Sequence, residues 1–183
     1  MASSFGAPFL GPRTRLAIPA RRALVHPAPL AGRARFTPGA ESVWPSGKTA
    51  DGKEEDLART PAPEERVSDM LYLGDLRDGW YALTNLDMGV GFAMRFPVQV
   101  FPHVWLWREL NGTDDFPWFG RSYVAAVEPF TTAPGLGLGK AAENGTARIL
   151  APGASLEVRL LAAGYEARKE PAGVSEAGEA EPG

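Results

Sequence analysis

Cysteine is absent from this 183-residue chain, which excludes a disulfide framework and thiolate metal ligation. Histidine is almost as scarce. His26 and His103 are the whole supply, so the expectation is no metal site and no cofactor. No run approaches eighteen consecutive apolar residues, so no membrane-spanning helix is expected. The apolar core of a secretory signal is also missing, and Pro8, Pro12 and Pro19 break the amphipathic helix of an organelle leader. No targeting segment is read, and a reducing cytoplasm is the expected compartment.

Acidic residues are nearly absent from the first fifty positions, which hold seven Lys/Arg and one Glu. The formal net charge of the whole chain is nevertheless -3, because the remainder is acidic. Nucleic-acid binding is not expected from that basic start. Arg13, Arg15, Arg21, Arg22, Arg33 and Arg35 are dispersed among prolines and alanines, without the clustered face or interleaved aromatics that track phosphates and stack bases. They read as a solvated face.

What the chain does have is glycine (21) and proline (17), which punctuate short β-prone runs. Residues 1–40 carry brief extended segments. Residues 41–66 are polar and proline-bearing and read as a long surface loop, with Trp44 packed down as an anchor or serving a ligand. From residue 70 onward the pattern is that of a β protein. Runs at 70–73, 80–84 and 90–96 form a meander around the turn at 85–89, followed by strands at 103–109 and 123–127. Residues 147–150 and 156–163 predict a further hairpin, in which Leu156, Val158 and Leu160 alternate with Glu157 and Arg159. The glycine-bearing stretch 134–140 lacks phosphate-loop spacing and reads as a flexible loop. Residues 167–183 are acidic, have one bulky apolar residue, and predict disorder. The architecture expected is one mainly β domain over 1–166, an antiparallel β-sandwich, with a disordered C-terminal tail.

Residues 101–134 concentrate the chemistry, with three of the five tryptophans, one histidine and Glu128. Aromatic rings beside a few fixed polar groups can hold a sugar, the ring lying against C–H bonds while carboxylates take hydroxyls. Period two places His103, Trp105, Trp107 and Glu109 on one side of their strand and Val104, Leu106 and Arg108 on the other. The first set reads either as a ligand wall or as the filling between two sheets. Trp118, between Pro117 and Phe119, is a lid or an anchor. Glu128, at the end of an apolar strand, is placed to have its pKa raised by desolvation, which suits a general acid or base.

The succession FPHVWLWREL, PWFGRSYVAAVEP and LAPGASLEVRLLAAGYE, with the earlier FGAPFL and ESVWP, resembles the C-terminal half of the aldose 1-epimerase (galactose mutarotase-like) family, in its poorly characterised bacterial branch. The resemblance spans residues 3–165. It implies part of a large antiparallel β-sandwich with an aldose groove on one sheet, and an isomerase that interconverts sugar anomers without a metal. In the family a glutamate takes the anomeric proton from a strand-end motif closing in Glu-Pro, which Ala126-Val127-Glu128-Pro129 matches. Glu128 is therefore the implied base, and His103, Trp105, Trp107, Glu109 and Trp118, from the strand and loop pattern, are the candidate substrate-binding set. The family's acid histidine belongs just before the Phe-Gly segment, where this chain has Met1-Ala2-Ser3-Ser4. His103 is the substitute available.

The expectation is thus an aldose 1-epimerase-like protein that binds a free sugar and interconverts its anomers. The alternatives are a non-catalytic carbohydrate-binding protein, or a truncated, inactive member whose true start lies upstream. Sheet edges left open by a partial sandwich imply a homo-oligomer that covers them.

Overall fold

Short runs of alternating apolar residues build two antiparallel sheets whose apolar faces meet. The computed structural model describes residues 8–32 and 34–183. In chain order the strands are β1 (Thr14–Ala17), β2 (Arg22–Val25), β3 (Glu41–Val43), β4 (Ser46–Lys48), β5 (Glu54–Asp56), β6 (Val67–Gly74), β7 (Trp80–Asn85), β8 (Val90–Arg95), β9 (His103–Leu110), β10 (Tyr123–Phe130), β11 (Leu161–Glu166), β12 (Gly173–Val174) and β13 (Ala180–Glu181). One short helix, α1 (Leu138–Glu143), lies between β10 and β11. One sheet runs β1-β7-β8-β11 and the other β10-β9-β6-β2-β3, while β4-β5 and β12-β13 form separate pairs.

The main core fills the space between the two large sheets. Leu16 and Tyr81 enter from one sheet, and Ala23, Leu71, Leu73, Val104 and Leu106 from the other. Each leucine so buried contributes about 1.5–3 kcal/mol relative to exposure. The β7–β8 turn is held by the Asn85 side chain, whose Oδ1 accepts the amides of Asp87 and Met88 at 2.9 Å each, with Gly89 closing it at φ 68°. This is the turn that the residues at 85–89 predict, and the β7–β8 hairpin around it forms, but the meander does not extend to the run at 70–73, because β6 pairs with β2 and β9 in the other sheet.

Three segments depart from the sequence reading. Residues 41–66 are not a surface loop. They form β3, β4, β5 and a 3-10 turn over Pro63–Glu65, because Trp44, Leu57 and Ala58 are apolar enough to anchor the segment in the core. Trp44 is accordingly buried. The hairpin over 147–163 does not form either. Only Leu161–Glu166 pairs, with β8, and residues 147–160 belong to no strand. In the same region, residues 138–140 of the 134–140 stretch read as loop are helical, forming the start of α1.

The third departure is the tail expected to be disordered. Residues 173–181 fold back as the β12–β13 hairpin, and its one valine is the reason. Val174 packs with Trp80, Ala82 and Ala93 on the outer face of the four-stranded sheet, with Tyr165 beside it. Arg95 secures the hairpin by donating to the Val174 carbonyl at 3.0 Å and to Glu176. Among the described residues, no helix is long and apolar enough to cross a membrane.

Candidate functional site

Val104 and Leu106 point into the core, so the other set on β9 projects from the outer face of the five-stranded sheet. Directly opposite residues in an antiparallel pair share a face, and the register extends that set across the sheet. Glu128 on β10 is opposite Trp105, which is opposite Tyr72 on β6. One step along, Ala126 is opposite Trp107 and Trp107 opposite Met70; one step the other way, Phe130 is opposite His103. The outer face therefore carries Glu128, Trp105, Tyr72, Phe130, His103 and Trp107 together.

Trp105 is the centre of this face and is itself largely covered. Phe130 stacks on it with ring centroids 3.7 Å apart and planes 13° from parallel. Tyr72 meets it edge-on at 5.3 Å, and its indole Nε1–H donates to the Thr132 carbonyl at 2.8 Å. Gly135 lies so close that a Cβ there would sit 2.5 Å from the ring, which only glycine permits. Thus the 131–137 loop closes over Trp105. His103 and Glu128 occupy the diagonal of the register that the Trp105–Phe130 stack crosses, so they stand on opposite sides of it.

Tyr72 links the loop to His26. The Gly135 amide opposes the upward shift of the Tyr72 phenol, and His26 Nδ1 lies 2.6 Å from the phenol oxygen. The phenol donates to Nδ1 when the imidazole's own proton is on Nε2, and accepts from it when that proton is on Nδ1. Burial lowers the His26 pKa, and it raises that of Tyr72. Burial also lowers His103, helped by Arg22 and opposed by Asp75.

Both histidines thus favour the neutral form when folded, so the folded chain binds fewer protons than the unfolded one as pH drops below about 6.5. The resulting stability is present above pH 6.5 and is lost as pH falls through the folded-state values. Urea midpoints should accordingly be lower at pH 5 than at pH 7.5, and a His26→Gln/His103→Gln variant should flatten that slope. An unchanged slope in the double variant would remove the histidines as its cause.

The remaining candidates separate in role. Glu128 is exposed, and after burial its charge is the next cause that pushes the Tyr81 phenol up to about 12. Glu109 is only 1% exposed, and its carboxylate is taken up by the following loop. Its Oε1 accepts the Gly112 and Thr113 amides at 2.8 and 2.9 Å, and its Oε2 accepts the Thr113 hydroxyl at 2.6 Å. That loop brings Trp118 to Trp107, 5.2 Å apart at 49°, and leaves Phe116 and Phe119 exposed beside them. Among the described residues, no three His, Asp or Glu cluster as metal ligands would.

Sequence reasoning did not find His26, Tyr72 or Phe130. Period two along β6 was the available signal for Tyr72, which shares its face with Met70 and Gly74. Nothing local marks His26, which reaches the site through its backbone pairing with Met70 at 2.9 Å. The place where an acid histidine was sought, Met1 to Ser4, lies outside the described residues.

No curated protein and no solved structure matches this chain. A family described as a domain of unknown function (DUF4432) matches residues 3–162, which takes in the five-stranded sheet, the β1, β7 and β8 strands of the other, and every residue of the aromatic face. The chain belongs to that family.

Proposed function

We propose that the outer face of the five-stranded sheet binds a free aldose and that Glu128 takes the proton of its anomeric hydroxyl. The observation that carries this reading is the row in which an exposed carboxylate, Glu128, stands directly across from Trp105, with Tyr72 next beyond it. Its neighbours Trp107, Trp118 and His103 are half-buried, which leaves ring and imidazole surface for the sugar's C–H face and hydroxyls. Glu109 is used by its loop, and in this reading it serves the site by fixing Trp118. Proton removal at the anomeric oxygen opens the ring once the ring oxygen gains a proton, and reclosure on either face interconverts the anomers. The reading calls for no metal or cofactor, no nucleic acid, and a cytoplasmic protein.

A second reading is a sugar-binding protein without turnover. It is favoured by the depressed pKa values of His26 and His103, since a neutral imidazole is a far weaker acid toward the ring oxygen than an imidazolium.

Polarimetry or NMR of freshly dissolved single-anomer aldoses decides between them. Faster equilibration in the presence of the protein, reduced about 10²–10⁴-fold by Glu128→Gln, is the expected result for a catalytic base. Turnover that Glu128→Gln leaves intact would sink the role assigned to Glu128. Quenching of tryptophan fluorescence by sugar with no faster equilibration selects the second reading.

A further inference from the structure

The segment Leu156-Glu157-Val158-Arg159-Leu160 has the period-two pattern of a strand, yet it pairs with nothing described. None of its backbone groups hydrogen-bonds to the backbone of another described residue. Leu156, Val158 and Leu160 are 46%, 39% and 48% exposed, and neither Glu157 nor Arg159 forms an ion pair with a described residue. It leads directly into β11, which pairs with β8 on one side only and forms the edge of its sheet. An apolar, unpaired segment continuous with a sheet edge is a template for another strand.

The order of its side chains says which strand. Read backwards, the segment is apolar, basic, apolar, acidic, apolar, so an antiparallel copy centred on Val158 sets Leu156 opposite Leu160 and Glu157 opposite Arg159. Both ends of such a pairing carry the same opposite-charge match, as a twofold interface requires. A foreign strand would need only the apolar face; the mirrored charges are complementary to the segment itself. We propose that residues 156–160 pair antiparallel with the same residues of a second copy of this chain, across a twofold axis at Val158, forming a homodimer. This proposal stands apart from the sugar reading and does not depend on it.

Charge reversal tests it with the full chain. Sedimentation velocity over a wide concentration range should show a monomer–dimer equilibrium. Glu157→Arg and Arg159→Glu should each weaken association about tenfold or more, because each sets two pairs of like charges directly opposite one another. An equimolar mixture of the two single variants should associate as a heterodimer, since every facing pair is then of opposite sign. The double variant Glu157→Arg/Arg159→Glu should dimerise like the parent chain. Both positions are exposed, so circular dichroism should show unchanged folding. A chain that stays monomeric throughout, a dimer indifferent to the single reversals, or a mixture that fails to associate would each overturn the proposal.

Discussion

Replacing Asp69 by alanine should cost about 3–5 kcal/mol of stability, the range for breaking a buried ion pair from one side. Asp69 and Arg108 are each 3% exposed, on neighbouring strands and directly opposite in register. Asp69 Oδ2 accepts from Arg108 Nη2 at 3.1 Å and from Arg35 Nη2 at 2.8 Å. Arg108 then uses Nη1 to hold the Leu57 and Arg59 carbonyls, at 3.2 and 3.1 Å, so it also fastens the 41–66 segment to the sheet. Burial draws the Arg108 pKa down, with Asp69 the opposing influence. Without that carboxylate the guanidinium is a buried charge with no counter-charge at Oδ2. Urea unfolding is the measurement. Because the two residues act as one unit, adding Arg108→Leu to Asp69→Ala should cost much less than the sum of the single changes. A loss under about 1 kcal/mol for Asp69→Ala would show that water or relaxation replaces the pair.

Glu109→Ala should cost about 3 kcal/mol, since it removes an acceptor of three hydrogen bonds and strands the Gly112 and Thr113 amides. The loop that carries Trp118 should loosen with it, changing the tryptophan emission through the Trp107–Trp118 contact. Glu109→Gln is the informative partner. Its amide oxygen still accepts both backbone amides, so most of the stability and the emission should return. A Gln variant as unstable as the Ala variant would mean that the negative charge, rather than the acceptor geometry, holds the loop.

These two residues show how far the strand pattern reaches. Alternation in HVWLWREL separates two sets of side chains correctly, because a strand has no other way to dispose them. It does not say which set faces inward. A reading that prefers hydrophobic interiors has no reason to send Arg108 inward and Trp105 and Trp107 outward. Arg108 goes in because Asp69, thirty-nine positions away, and the Leu57 and Arg59 carbonyls meet it there. Trp105 is covered all the same, by Phe130 and the 131–137 loop on the outer side.

Glu128 marks a second limit. The apolar run predicts a strand over 123–127, but β10 runs on to Phe130. Pro129 is tolerated because β10 is the edge of its sheet, where a missing N–H need not break a ladder. Glu128 is therefore held inside a strand, in register with Trp105, rather than hanging from a strand end.

The sequence by itself determined that this chain is β-rich and antiparallel, where the β7–β8 turn falls, and that aromatic and acidic chemistry gathers in 101–134. Those are properties of local propensity and period, which each segment carries alone. Tertiary structure decided the inward face of β9, the burial of the 41–66 segment, the docking of the tail through Val174, and the meeting of His26 with Tyr72. Each depends on a partner far along the chain, and the energy of burying a charge, a ring or one valine is fixed only when that partner arrives.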